Sequence, residues 1–264
     1  MSLPGMSDAV IPGYVYRIGD SEPFSIFSVY NLVGTLGCVF WFLAYGFIIF
    51  QSHKDKASGV PLLALCLNFG WELLGSFVWD NPIPLWRWFY RIWFVLDVVI
   101  FAQMWLYGRR LQRVPEVRRH FHAVLLATLL AGTIGQWAFT RTFHDPMGFI
   151  TAFAINLVMS VLFIGLYFER RDGQGLSYAA AWFKLLGTLC TAIECHYFLP
   201  VIHPDKDSFA FPHFLYVSIL LLDATYIGLL WRARRAAKQP SAAQPLSSAQ
   251  AREAEARGSA PALR

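Results

Sequence analysis

Seven stretches of mostly apolar residues, roughly 26 to 50, 60 to 79, 89 to 107, 121 to 139, 149 to 168, 177 to 199 and 209 to 231, dominate this sequence. About 20 such residues are what an α-helix needs to cross the hydrocarbon core of a bilayer. In hydrocarbon every backbone N–H and C=O must be bonded within its own segment, so each stretch is predicted to be helical. The sequence is 56% hydrophobic and only 15% charged, more apolar than one soluble core requires, which makes lipid the expected solvent.

Polar segments with turn chemistry separate the stretches: Lys54 to Gly59, Asp80 to Pro84, His144 to Pro146 and Asp172 to Gly175. Counting cations on alternate sides puts Lys54, Lys56, five arginines between Arg109 and Arg119, Arg170, Arg171 and the Arg232 to Lys238 cluster on one face. The other face receives Arg17, Arg87, Arg91, Arg141 and Lys206. The positive-inside rule then predicts an all-α integral membrane protein, a seven-helix transmembrane bundle over 26–235 with its N-terminus outside and its C-terminus cytoplasmic. Residues 1–25 become an N-terminal extracytoplasmic segment, with no basic leader followed by a cleavage site. Residues 236–264, rich in Ala, Ser, Pro, Gln, Glu and Arg and free of aromatics, are predicted to be a disordered cytoplasmic tail.

The net charge of +5 comes from these short loop runs, so no nucleic-acid partner is expected. Cys38, Cys66, Cys190 and Cys195 all fall inside apolar stretches without C-x-x-C spacing and read as buried free thiols. His144, His203 and His213 would share the outer side, but lack ligand spacing, so no metal site is indicated. There is no Asp-rich diphosphate motif, P-loop or G-x-S-x-G, so no cofactor is expected and proton transfer is the chemistry left. Nothing in the sequence sets an oligomeric state.

An ionisable group at the bilayer centre costs about 2.5 to 3.5 kcal/mol on insertion scales. This sequence places Glu72, Asp97, Lys184, Glu194 and Asp223 within its apolar stretches. Helical spacing puts Asn68, Glu72, Gly75, Ser76 and Trp79 on one face, a polar stripe in an apolar helix. Glu72 then serves either chemistry or helix packing as a protonated carboxyl. Asp97 shares its face with Trp93, Phe101 and Trp105, a cradle for a cation, or else pairs with Arg91 or Lys184. Asp223 follows three leucines, and Tyr226 is its nearest local partner. Lys184 is read as snorkelling from the cytoplasmic end of its helix. Glu194 is either a second acid or a rim charge. On these residues alone, an enzyme and a proton-coupled seven-helix small-molecule transporter stand nearly level. A retinal protein would need a lysine in the last stretch, and residues 209 to 231 contain none.

The run Asn68-Phe69-Gly70-Trp71-Glu72, the run Arg91-Ile92-Trp93-Phe94-Val95-Leu96-Asp97, the run Trp182 to Thr188 and Asp223 together resemble the membrane-bound terpene cyclases of the pyripyropene-cyclase type. The resemblance covers residues from about 25 to 235 and decides between enzyme and transporter. It implies proton-initiated cyclisation of a linear prenyl chain, a farnesyl group with or without an epoxide, carried on an aromatic or indole head. Glu72 and Asp223 look like the family's acids implicated in protonation, with Asn68, Trp71, Trp93, Asp97, Glu194 and Tyr226 as the expected substrate-binding set. The Ala/Arg-rich tail looks like that of a GC-rich bacterial gene, which implies a bacterial cytoplasmic membrane, or the endoplasmic reticulum in a eukaryote.

Overall fold

The computed structural model describes residues 29–79, 84–145, 147–170, 172–202 and 208–238. The expected segment 1–25, nearly all of the expected tail, His203, Lys206 and most of the Asp80 to Pro84 turn lie outside them. Each apolar stretch holds a helix: α1 (Val29–Asp55), α2 (Leu62–Phe77), α3 (Pro84–Tyr107), α5 (Phe121–Thr142), α6 (Phe149–Glu169), α7 (Tyr178–Ile202) and α8 (Ala210–Lys238). A 3₁₀ turn, Gly108–Leu111, and the short α4 (Pro115–Arg119) bridge α3 to α5. No strand occurs among the described residues. Five helices are long and apolar enough to cross a membrane, namely α1, α3, α5, α6 and α8. Of the other two, α2 has 16 residues, and α7 carries Lys184 and Glu194.

The outward faces of these helices are apolar. On α1, Leu32, Leu36, Val39, Leu43 and Phe47 are exposed at steps of three and four, one continuous stripe along the helix. Water would oppose such a face, whereas hydrocarbon accepts it. Polar residues turn inward instead: Ser52, Glu72, Ser76, Asp97, Thr188 and Asp223 are all buried.

Local chemistry ends the helices. Among the described residues the two non-glycine residues at positive φ, Lys56 (52°) and His144 (53°), each follow a helix end. In both cases the next residue donates back across the last turn, Ala57 N–H to Ser52 O at 3.1 Å and Asp145 N–H to Thr140 O at 3.1 Å. This is the Schellman closure, with a left-handed residue where glycine is usual. Asp145 then accepts from both the backbone N–H (2.8 Å) and Oγ1 (2.7 Å) of Thr151 in the first turn of α6.

Loop-to-loop bonds gather one end of the bundle. Gly175 N–H donates to Asp55 Oδ2 at 2.8 Å, Arg170 donates to Ser58 O, and Arg113 donates to Glu169 O. The α1–α2, α3–α5 and α6–α7 connections thus meet, as antiparallel neighbours joined by short loops require. By packing, α1 lies against α7 and α3, and α2 lies against α3, α5 and α6. Contacts divide the chain into two compact units, Met1–Ile227 and Gly228–Arg264. The second begins with the last turns of α8, which run to Lys238, past the expected start of the tail at 236. All of the site described next belongs to the first.

Candidate active site

Trp71 and Gly148 fix the floor of the site. Trp71 Nε1 donates to Gly148 O at 2.8 Å, tying α2 to the start of α6. Gly148 has φ 69°, and a Cβ there would come within 2.5 to 2.7 Å of the Trp79 and Trp71 rings. Glycine is required twice over, for its backbone angle and for the close approach. Tyr90 packs edge-on against Trp71 at 4.8 Å between centroids, and Trp93 lies 5.4 Å from Phe42.

Above this floor α1, α2, α3, α6 and α7 line a partly open cavity of about 120 Å³. Nine of its nineteen lining residues are aromatic, among them Trp41, Trp71, Trp86, Phe89 and Trp93. Aromatic faces carry negative quadrupole density and attract a cation without reacting with it by proton transfer. Two carboxyls reach the same lining, Glu72 from α2 and Glu194 from α7. Asn68, Trp71 and Trp93 from the expected binding set also line it. A second cavity of about 30 Å³, room for water alone, is lined by Asp97, Lys184, Tyr226, Tyr45 and Asn68.

Glu72 is held on one side only. Its Oε1 accepts from the Tyr45 hydroxyl and from Asn68 Nδ2 at 2.9 Å. Its Oε2 is buried and accepts from no N–H or hydroxyl donor among the described residues. Asn68 Nδ2 also lies 2.8 Å from Asp97 Oδ2, so one amide spans two carboxyls. Glu72 and Asp97 are themselves within hydrogen-bonding reach of each other. Between two carboxyl groups such a bond exists only when one of them carries a proton.

Asp223 has a different surrounding. Both its oxygens accept from Lys184 Nζ at 2.7 Å, and the same ammonium donates to Ser160 Oγ at 2.8 Å. Lys184 is 5% exposed and its Nζ lies 5.8 Å from the Trp41 ring centroid. The expected snorkelling is therefore corrected. Lys184 turns inward because α8 presents it with a carboxylate and α6 with a hydroxyl. Asp97 pairs with neither Arg91 nor Lys184, and Asp223 is partnered by Lys184 rather than by Tyr226, whose ring lies tilted against Phe163 at 5.4 Å between centroids. The aromatic face expected around Asp97 divides as well. Trp93 lines the main cavity, Phe101 packs on Phe69, and the exposed Trp105 stacks on His122. Outside the cavity, His213 Nε2 lies 2.8 Å from His196 Nδ1.

Tyr45 is the residue the sequence reading passed over. A phenol in the middle of an apolar helix needs a partner for its hydroxyl, and that requirement was the available signal. Here the partner is Glu72.

Apolar-faced helices around an aromatic cavity with a buried acid are the features of a membrane protein whose site suits an apolar ligand. The family model described as Pyr4-like transmembrane terpene cyclases matches residues 20–236 of this chain. The chain belongs to that family and is a membrane terpene cyclase. Similar proteins include the Pyr4-family terpene cyclase mfmH of Annulohypoxylon moriforme, 28% identical over 56% of this chain and 62% of that protein. The terpene cyclase cle7 of Aspergillus versicolor is 24% identical over 82% of this chain and 93% of its own length. The terpene cyclase pyr4 of Aspergillus fumigatus is 25% identical over 74% and 83%. These relatives are fungal, where the tail composition suggested a bacterial source. No solved structure matches the chain.

Proposed function

We propose that the enzyme starts cyclisation by protonating the terminal epoxide or alkene of a prenyl chain, and that Glu72 delivers the proton through Oε2. One observation carries this reading: Glu72 borders the aromatic cavity with Oε1 anchored by Tyr45 and Asn68 and Oε2 free of any N–H or hydroxyl donor among the described residues. Asp97 shares the proton from behind, outside the main cavity. Protonation breaks the epoxide C–O bond, or adds to the alkene, and leaves a carbocation. Successive alkene electron pairs then form the ring bonds while Trp71 and Trp93 keep water away.

Asp223 has its charge engaged by Lys184, so this reading gives it a positioning role in the helix packing behind the site. The substrate class is a farnesyl group on an aromatic or indole head. A polar head on a chain too apolar for water matches a site entered from lipid. The reading includes seven spans with the N-terminus outside, α2 and α7 crossing with the other five.

Glu72→Gln keeps the side-chain shape and removes the proton. Membranes carrying this variant should consume a farnesyl aromatic with a terminal epoxide at least about a hundredfold more slowly than wild type, the contribution typical of a general acid. Consumption at the wild-type rate would falsify the assignment.

A further inference from the structure

We infer that Glu194 is the base that ends the reaction, removing the proton whose loss creates the final double bond. This rests on the proton-initiated reading above and adds the group that reading leaves unassigned. A cascade begun by a proton ends on a tertiary carbocation. It becomes a neutral alkene only when a C–H bond beside the cationic carbon breaks. Its electron pair forms the C=C bond and its proton goes to an acceptor. One proton enters and one leaves, nothing is oxidised or reduced, and the product is an isomer of the substrate.

The cavity lining contains two groups able to exchange a proton as carboxyls, Glu72 and Glu194, and no His, Lys, Arg or Asp among the described residues. Its remaining side-chain heteroatoms belong to amides, hydroxyls, thiols, a thioether and tryptophan N–H groups, which are poor acceptors of a proton from carbon. Glu72 is the donor in the proposed start, so Glu194 is the carboxyl left to receive. Its placement fits. Glu194 is 7% exposed, and its Oε1 is buried without a hydrogen-bond partner among the described residues. It reaches the cavity on α7, which packs against α1, whereas Glu72 comes from α2, which packs against α3, α5 and α6. No hydrogen bond links Glu194 to the Tyr45–Asn68–Asp97 network that holds the donor. A cation forming in the cavity favours the ionised form of a carboxyl beside it, so the position of Glu194 selects which neighbouring C–H is broken.

Gly34 makes this testable without touching the carboxyl. A Cβ on Gly34 would fall 1.9 to 2.1 Å from the carboxyl carbon and oxygens of Glu194. The room for that carboxyl is the missing side chain of α1, and Gly34→Ala must push it aside.

The experiment uses membranes containing the full chain, incubated with a farnesylated indole and a farnesylated phenol, each with its terminal alkene intact or epoxidised. Substrate loss and the ratio of cyclised products are both measured. Glu194→Gln keeps the side-chain shape and removes the acceptor, so it is read by its product ratio. The main alkene should give way to double-bond isomers and water-quenched alcohols. Gly34→Ala should shift the ratio in the same direction. Unchanged product ratios in both variants overturn the inference and leave the proton-initiated reading standing. Loss of consumption in Glu194→Gln as deep as in Glu72→Gln, with the wild-type product ratio in Gly34→Ala, also overturns it, because Glu194 would then belong to initiation. A wild-type protein that consumes none of the four probes overturns both readings together.

Discussion

At the scale of single residues, the site works by asymmetry within one carboxyl. Glu72 Oε1 takes hydrogen bonds from Tyr45 and Asn68 and Oε2 takes none from an N–H or hydroxyl donor, so the group is oriented without being used up. Tyr45 is the part of this arrangement easiest to remove cleanly. Tyr45→Phe keeps the ring in its edge contact with Trp41, 6.3 Å between centroids, and deletes only the hydroxyl. A hydrogen bond to a carboxyl contributes about 1.5 kcal/mol or more, and about 1.4 kcal/mol is tenfold in rate. Turnover should therefore fall about tenfold with KM for the prenyl aromatic unchanged, as read from initial rates in membranes. An altered KM at constant kcat would instead place Tyr45 in substrate binding. Much of this was legible beforehand. The polar stripe through Asn68, Glu72 and Ser76 could be read from helical spacing, and its buried orientation follows from the cost of turning it to lipid. That Asn68 would bridge to Asp97 could not be read, because spacing along α2 says nothing about which residue of α3 arrives opposite.

At the scale of elements, the Lys184–Asp223 pair joins α7 to α8, and Ser160 adds α6 through the same ammonium. The sequence placed Lys184 near a helix end, where a long stem usually reaches water. It stays inside because a carboxylate with two free oxygens is within reach, a fact about the partner helix that no local pattern encodes. Taking one partner from a buried pair leaves the other uncompensated, at a cost of about 3 to 5 kcal/mol, while replacing both with apolar residues of similar size is often neutral. Asp223→Asn should thus lower the thermal unfolding midpoint in detergent sharply. The double variant Lys184→Met/Asp223→Leu should recover most of the loss. Because the proposed reading gives Asp223 no proton to donate, the double variant should also turn over substrate. If it folds as well as wild type yet consumes none, Asp223 acts in the chemistry and not in the packing.

At the scale of the whole molecule, the sequence and the geometry meet on which end of the bundle is which. The loops that carry Lys54 and Lys56, Arg109 to Arg119, and Arg170 were assigned to one face by counting charges. Hydrogen bonds among Asp55, Ser58, Arg113, Glu169, Arg170 and Gly175 bring those same three loops together. Charge counting and chain geometry are independent. The first depends only on composition, and the second on how helices of these lengths turn back. Those loops form one basic end, which the proposed topology places in the cytoplasm. Arg110 is exposed at that end, and Ser208 is exposed in the connection between α7 and α8. In intact cells a membrane-impermeant maleimide should label Ser208→Cys and leave Arg110→Cys unlabelled until the membrane is opened. Cys38, Cys66 and Cys195 are buried and Cys190 is partly so, so the wild-type chain sets the background. The reverse labelling pattern would invert the topology. Equal labelling of both positions in intact cells would mean that an odd number of spans does not separate them, and α7, which lies between them with α5 and α6, would then fail to cross.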